Sequence, residues 1–173
     1  MRVTQEPALL LHHRHYSETS MLIEVFTAHH GRFGLVAKGA RRASSRTRGI
    51  LKPFQPLLIG WSGKGELAVL TGAEAHGPSI ELEGQSLYCG FYLNEVLMRL
   101  LHRHDAHEAL FDAYERPLRA LRHDSNNEAA LRVFENQLLR ELGYGLVLDR
   151  DITDSTPILP EAMYDYVLDH GPM

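Results

Sequence analysis

"MLIEVFTAHHGRFGLVAK", residues 21–38, is the stretch on which the fold turns. In 21–27, Met21, Ile23 and Val25 fall on one face and Leu22, Glu24 and Phe26 on the other, the two-residue period of a strand. "AHHGR" supplies a tight turn at Gly31. Phe33, Leu35 and Ala37 then continue the alternation through 33–38, so the stretch reads as a β-hairpin.

Strand-like runs flank it on both sides. "ALLLHHRHY" (8–16) precedes the turn-like "SETS", and "LLIGW" (57–61) enters behind Pro53 and Pro56. "SGKG" then turns the chain into "ELAVLTGAE" (66–74). Five short strands, one long loop and no crossover helix predict a small barrel of the five-stranded OB type. "AHGPS" (75–79) ends this pattern, and helical periodicity follows. In "SLYCGFYLNEVLMRLLHRH", Leu87, Phe91, Glu95 or Val96, and Leu100 recur, with Leu93, Leu97 and Leu101 beside them. A second helix covers 107–123, with Pro117 placed to kink or restart it. The third covers 126–145, where Asn126 or Asn127 caps, Leu131, Phe134, Leu138 and Leu142 form a stripe, and Gly143 closes. The tail, rich in acids and prolines, holds at most a weak hairpin. The expected class is α+β: a barrel domain at 1–78 and an α-helical domain with an irregular acidic tail at 79–173.

Between the third and fourth strand-like segments, 33–38 and 57–61, lies "AKGARRASSRTRGILKPFQPL", residues 37–57. It carries Lys38, Arg41, Arg42, Arg46, Arg48 and Lys52 and no acid. The net charge of the 173-residue chain is −4, yet 25–65 holds eight Lys or Arg without one Asp or Glu. The remainder has ten basic residues against 22 acids, a balance of −12. One cationic region on an acidic body points to a polyanionic partner.

Other chemistry finds little footing. The 44% hydrophobic and 23% charged composition is that of a folded protein. No apolar run is long enough to span a membrane, and the N-terminus lacks the features of a secretory signal, so the cytoplasm is the expected compartment. Cys89 alone makes neither a disulfide nor a cysteine zinc site, and reads as a small buried hydrophobe. "GKGELA" (63–68) fits a loose dinucleotide fingerprint, but a strand and not a helix follows it, so it reads as a hairpin turn. "GWSGK" (60–64) misses the nucleophile-elbow pattern at its last position, and no Walker loop occurs. Eleven histidines, several in "HHRH" and "HRHDAH", read as surface residues. His12, His13, His15, His29 and His30 would add to the positive field at mildly acidic pH. No triad, carboxylate pair or nucleophile stands out, so no enzyme activity and no cofactor is expected.

The positives of the long loop are spaced to neutralise phosphates. Arginine suits this role because its planar fork grips two oxygens. Lys38, Arg41, Arg42, Arg46, Arg48 and Lys52 are the candidate contacts, with Arg32 and Lys64 flanking. Four to six contacts predict a slope of log K against log salt of roughly −3 to −4 on single strands. Single-strand binders also use aromatic platforms. Phe33, Phe54 and Trp61 are the nearest candidates; each could equally sit in the core, the favoured place for Phe54 and Trp61.

"SETS" with "FT" (17–27), "G-R-x-x-L-V-A-K-G-A-R" (31–41), "L-x-P-F-x-P-L" (51–57) and "G-x-G-E-L" (63–67) together resemble the N-terminal domain of the bacterial RecO recombination mediators. "LYCGFYLNEVLMRLL" (87–101) and "ALRVFENQLLRELGYG" (130–145) resemble that family's helical domain. The resemblance implies an OB-fold followed by helices, binding of single- and double-stranded DNA, and annealing of complementary strands. It implies partnership with RecR and with the acidic C-terminal tail of single-strand DNA-binding protein, to help load RecA at gaps on DNA coated by that protein, in a nucleoid-associated place. It matches Arg132, in "ALRVFE", to the family's basic residue for that tail. The cysteine zinc site of some members is missing. Family members continue with further helices beyond "DHGPM", so apolar faces of 84–145 are expected to be exposed and to favour self-association. Two other readings of the cationic barrel are an RNA- or ribosome-associated module and an adaptor for an acidic protein surface.

Overall fold

The computed structural model describes residues 2–63, 67–123, 127–168 and 170–173. Two compact units divide the chain, Met1–Leu131 and Arg132–Met173.

The first unit opens with the expected barrel. β1 (Arg2–His15), β2 (Met21–Thr27), β3 (Gly31–Ala37), β4 (Pro56–Ser62) and β5 (Leu67–Ala75) close in the order β1-β2-β3-β5-β4. β1 pairs antiparallel with both β2 and β4, and β3 meets β5 in parallel, the OB-type arrangement. The hairpin forms as its alternation predicts, with Ile23 opposite Leu35 and Val25 opposite Phe33. These four side chains join Ala8, Leu10, Leu57, Ile59 and Trp61 in the barrel core. Gly31 takes a left-handed φ of 68° at the turn, and the Thr27 hydroxyl donates to its carbonyl at 2.8 Å.

β1 is longer than its sequence suggests, beginning at Arg2 and not at residue 8. Glu6 and Pro7 interrupt the apolar pattern, but the strand tolerates them at a register shift between Val3 and Glu6, with Gln5 at a φ of 58°. The extra residue of this bulge falls at Thr4–Gln5, and Glu6 and Pro7 stay in register beyond it, opposite Ile59 and Leu58.

Both faces of β2 are covered. Ile23 and Val25 point into the barrel, whereas Phe26 packs outward onto the edge of Phe111 and Tyr114, at centroid distances of 5.4 and 6.5 Å. Phe111 and Tyr114 belong to α2 (Glu108–His123), which buries Leu110, Ala113, Tyr114, Pro117, Leu118 and Leu121 along one side. Of the kink or restart expected at Pro117, the restart does not occur: the helix continues through it. Burial of the proline ring on the packed face offsets the lost backbone bond.

α1 (Gly84–Leu100) corrects the sequence reading of its face. Gly90, Leu93, Asn94 and Leu97 are buried, while Phe91 and Leu100 of the expected stripe are exposed. The helix is apolar nearly all round, so periodicity alone does not select a side. Close approach does. A Cβ on Gly90 would lie 2.6 Å from Leu82 and 2.8 Å from Phe54. Asn94 then donates to the Leu11 carbonyl of β1 at 2.9 Å and accepts from the buried Tyr114 hydroxyl. The pair satisfies polar atoms that would otherwise be costly to bury. Cys89 beside this face is half-buried, less enclosed than expected.

α3 (Asn127–Glu141) starts at one of the two expected capping residues; Asn126 lies outside the described residues. Phe134 and Leu138 of the stripe are buried. Gly143, at a φ of 83°, closes it as expected: its N–H donates to Arg140 and that of Tyr144 to Leu139, a Schellman motif. In the tail, β6 (Tyr166–Val167) and β7 (Gly171–Pro172) form a minimal hairpin.

Candidate nucleic-acid interface

The cationic segment leaves the barrel where β3 ends at Ala37 and returns at Pro56. It is a chain of consecutive turns: Arg42 N–H donates to the Gly39 carbonyl, Ser45 to Arg42, Arg48 to Ser45 and Leu51 to Thr47. Ala40 and Leu51 are drawn into the barrel core, one at each end of the run. Phe54 then adopts a left-handed φ of 63°, a conformation that costs a bulky residue on the order of 1–2 kcal/mol. Its buried ring, 5.4 Å from Phe91, offsets that cost. Polar, arginine-rich residues are therefore held outward by apolar residues on either side of them.

The six central cations do not share one state. Lys38, Arg42, Arg46 and Arg48 are exposed and have no carboxylate partner among the described residues. Arg41 donates from Nη1 to the Ser17 and Glu18 carbonyls at 2.7 and 2.9 Å, while the Thr19 carbonyl receives its backbone N–H. It fastens the loop to the β1–β2 turn. Lys52 pairs with Glu81 at 3.2 Å. That bond lowers the Glu81 pKa.

Arg46 also lines a groove of about 500 Å³ on the outer face of the barrel, together with Arg2, Thr4, Thr71 and Glu74. Gly60 and Gly72 stand opposite each other on its floor. A Cβ on Gly72 would meet no atom within 4 Å, so the groove is open there, whereas one on Gly60 would lie 3.0 Å from the Val3 carbonyl oxygen. Arg2 has no sequence signal of its own, because Glu6 and Pro7 hide the start of β1.

Of the flanking candidates, Arg32 lies inside the fold. Its guanidinium binds Glu24 and donates twice to the Leu101 carbonyl, at 3.2 and 2.9 Å. Arg103 holds the other Glu24 oxygen at 3.0 Å. With Arg32 14% and Glu24 13% exposed, this guanidinium is committed to structure. Lys64 lies outside the described residues. Phe33, Phe54 and Trp61 all enter the core, so none of the three offers a base a free ring.

The histidines split as well. Burial first, then the like charges of His12 and His15, lowers the His13 pKa, so this residue resists protonation. His29 bonds the buried Glu6 carboxylate through Nδ1 at 3.1 Å, which raises its pKa. No group of three or more His, Cys, Asp or Glu among the described residues is placed to hold a metal ion. No helix among them is long and apolar enough to cross a membrane.

Arg132, in the second unit, is 65% exposed and pairs with Glu135 one turn along at 2.6 Å. A separate groove of about 420 Å³ on the same helix is lined by Val133, Asn136, Gln137, Arg140 and Glu141.

Comparison with known proteins gives a consistent result over the whole chain. Residues 1–78 match the family model described as Recombination protein O N terminal, and residues 82–168 match Recombination protein O C terminal. The chain is 49% identical over 172 residues to DNA repair protein RecO of Nitrosospira multiformis, covering 99% of this chain and 71% of that one. It is 50% identical over 173 residues to DNA repair protein RecO of Nitrosococcus oceani, covering 100% and 70%. With DNA repair protein RecO of Coxiella burnetii the identity is 48% over 170 residues, covering 98% and 73%.

Proposed function

The chain belongs to the RecO family of DNA repair and recombination proteins, and on that premise we propose that its cationic loop binds single- and double-stranded DNA through phosphate. The observation that carries this reading is the state of Lys38, Arg42, Arg46 and Arg48. They are exposed, free of carboxylates among the described residues, and mounted on a loop anchored at both ends. A fixed row of cations binds a polyanion without first ordering the loop, and each phosphate it neutralises releases counterion. Lys52 can exchange its exposed ion pair for phosphate, and Arg41, which holds the β1–β2 turn through Nη1, can reach phosphate through its remaining N–H groups.

Annealing follows from the same electrostatics. Two strands brought to one cationic surface repel each other less, and pairing then proceeds without covalent chemistry. The mediator role adds protein partners. RecR, and the single-strand DNA-binding protein tail at Arg132, are the proposed ones, with RecA loading at the nucleoid as the outcome. Residues 1–78 would serve DNA, and 79–173 the partners. Arg132 would then turn from Glu135 to the tail carboxylate, its own side chain being 65% exposed.

The test is annealing of complementary strands pre-coated with single-strand DNA-binding protein, alongside salt titration of single-strand binding. Annealing with a log–log salt slope of roughly −3 supports the reading. A flat salt response, or preference for RNA or an acidic peptide over DNA, rejects it.

A further inference from the structure

Phosphate contacts alone give a strand no reason to be single. Recognition of single strands commonly adds an aromatic ring on which a base stacks. Within the barrel, Phe26, Phe33, Phe54 and Trp61 are all buried. Tyr16 is the exception, 56% exposed.

Its position is built and not incidental. Tyr16 follows the last residue of β1, and its N–H donates to the Ser20 carbonyl at 3.1 Å. The Ser17 hydroxyl in turn accepts the Ser20 N–H at 3.2 Å, closing the turn. Arg41 clamps this turn from the other side through the Ser17 and Glu18 carbonyls. Met21 pairs with both His15 and Ala37, so Tyr16, Ser20 and Lys38 emerge at the same rim of the barrel. An exposed tyrosine by itself is ordinary. One fixed at the rim where the cationic loop starts has a strand's phosphates and bases within one neighbourhood.

We infer that Tyr16 is a base-stacking residue that makes the interface prefer single strands over duplex. This rests on the DNA-binding reading above. Bases in a duplex already stack on one another, so the ring gains nothing there unless the helix opens. A single strand can turn a base onto it at no such cost. The β1–β2 loop is also one of the loops through which OB-type barrels meet oligonucleotides.

The experiment uses the full chain and three probes of equal length: oligothymidylate, an abasic deoxyribose-phosphate strand, and duplex DNA. Tyr16→Ala should bind oligothymidylate about five- to a hundredfold more weakly, the range of one lost stack. Tyr16→Phe should bind like the parent protein. Neither change should alter binding to the abasic strand or the duplex. Thermal melts of both variants should match the parent, since the ring is largely outside the core. Unchanged affinity of Tyr16→Ala for oligothymidylate overturns the inference, as does equal loss on the abasic strand. A parallel Arg46→Ala/Arg48→Ala variant separates the two levels. Loss on all three probes with Tyr16→Ala unaffected removes Tyr16 alone. No loss on any probe removes the DNA-binding reading together with it.

Discussion

At one end of β3, Arg32 turns its guanidinium onto Glu24 and the Leu101 carbonyl, and Arg103 completes the cluster. At the other end, Lys38 begins a run in which Arg42, Arg46 and Arg48 meet no carboxylate among the described residues. The two ends are six residues apart on one strand, and both contribute to the same excess of positive charge. What separates them is the fold around them. The Arg32 end abuts the segment following α1, where its N-terminal turn is sealed by His104 donating to the Arg32 carbonyl at 2.9 Å. The Lys38 end is held outward by Ala40 and Leu51. Cationic residues are thus divided between holding the barrel and facing solvent, and the count of charges does not reveal the division.

The sharpest way to break this comparison is Arg32→Ala. It leaves Glu24 largely buried with only Arg103, and should cost about 3 kcal/mol in urea unfolding. DNA binding by the folded fraction should stay as it was. A variant that binds more weakly yet unfolds like the parent would move Arg32 to the interface. Next in size, the combined change Arg42→Ala, Arg46→Ala and Arg48→Ala should weaken DNA binding about ten- to a hundredfold at low salt, for every sequence alike. The salt slope should become shallower by about 2. Its melting temperature should not fall, because these side chains support nothing.

A smaller effect concerns His29. Its pKa is raised, through the hydrogen bond to Glu6 and then that carboxylate's charge, with Glu108 and Asp112 adding to the field. His30 shares the carboxylate at 4.0 Å. A raised pKa means that the stabilisation is fully present below the ordinary value of 6.5 and is lost as pH rises through the higher folded value. Melting temperature should therefore drop between mildly acidic and mildly alkaline pH, and Glu6→Gln should flatten that drop. An equal drop in the variant would detach it from this pair. Smallest of all, Glu81→Gln frees Lys52 at the surface and should raise DNA affinity about twofold at low salt, an effect that disappears at high salt. A loss of affinity there would place Lys52 outside the interface.

Sequence patterns foresaw elements whose residues speak through local spacing. The β2–β3 hairpin needs only alternation and a glycine able to take positive φ, and the end of α3 needs only Gly143. Reading failed where the deciding contact is distant along the chain. The start of β1 is hidden by Glu6 and Pro7, which break the apolar pattern yet pair with Ile59 and Leu58 of β4, far along the chain. The buried side of α1 is chosen by Gly90 meeting Phe54 and Leu82, which no periodicity within the helix encodes. For the interface, the loop's charge was legible but its internal division was not. Arg41 meets carbonyls 23 and 24 residues earlier, and Lys52 meets Glu81 29 residues later. Phe54 and Trp61 lie in the core, the place their sequence favours, and Phe33, left open by the alternation of its strand, joins them there.

Gly31 has a consequence for how this sequence can vary. Its φ of 68° already disfavours a side chain, and a Cβ there would come within 2.1 Å of the Asp105 carbonyl oxygen. Since the obstacle is backbone and not a side chain that could rotate away, no single substitution relieves it. Tolerance at position 31 would require the 101–105 segment to move together with Arg32, Arg103 and Glu24, so a library randomised at this codon and selected for folded protein should return glycine alone.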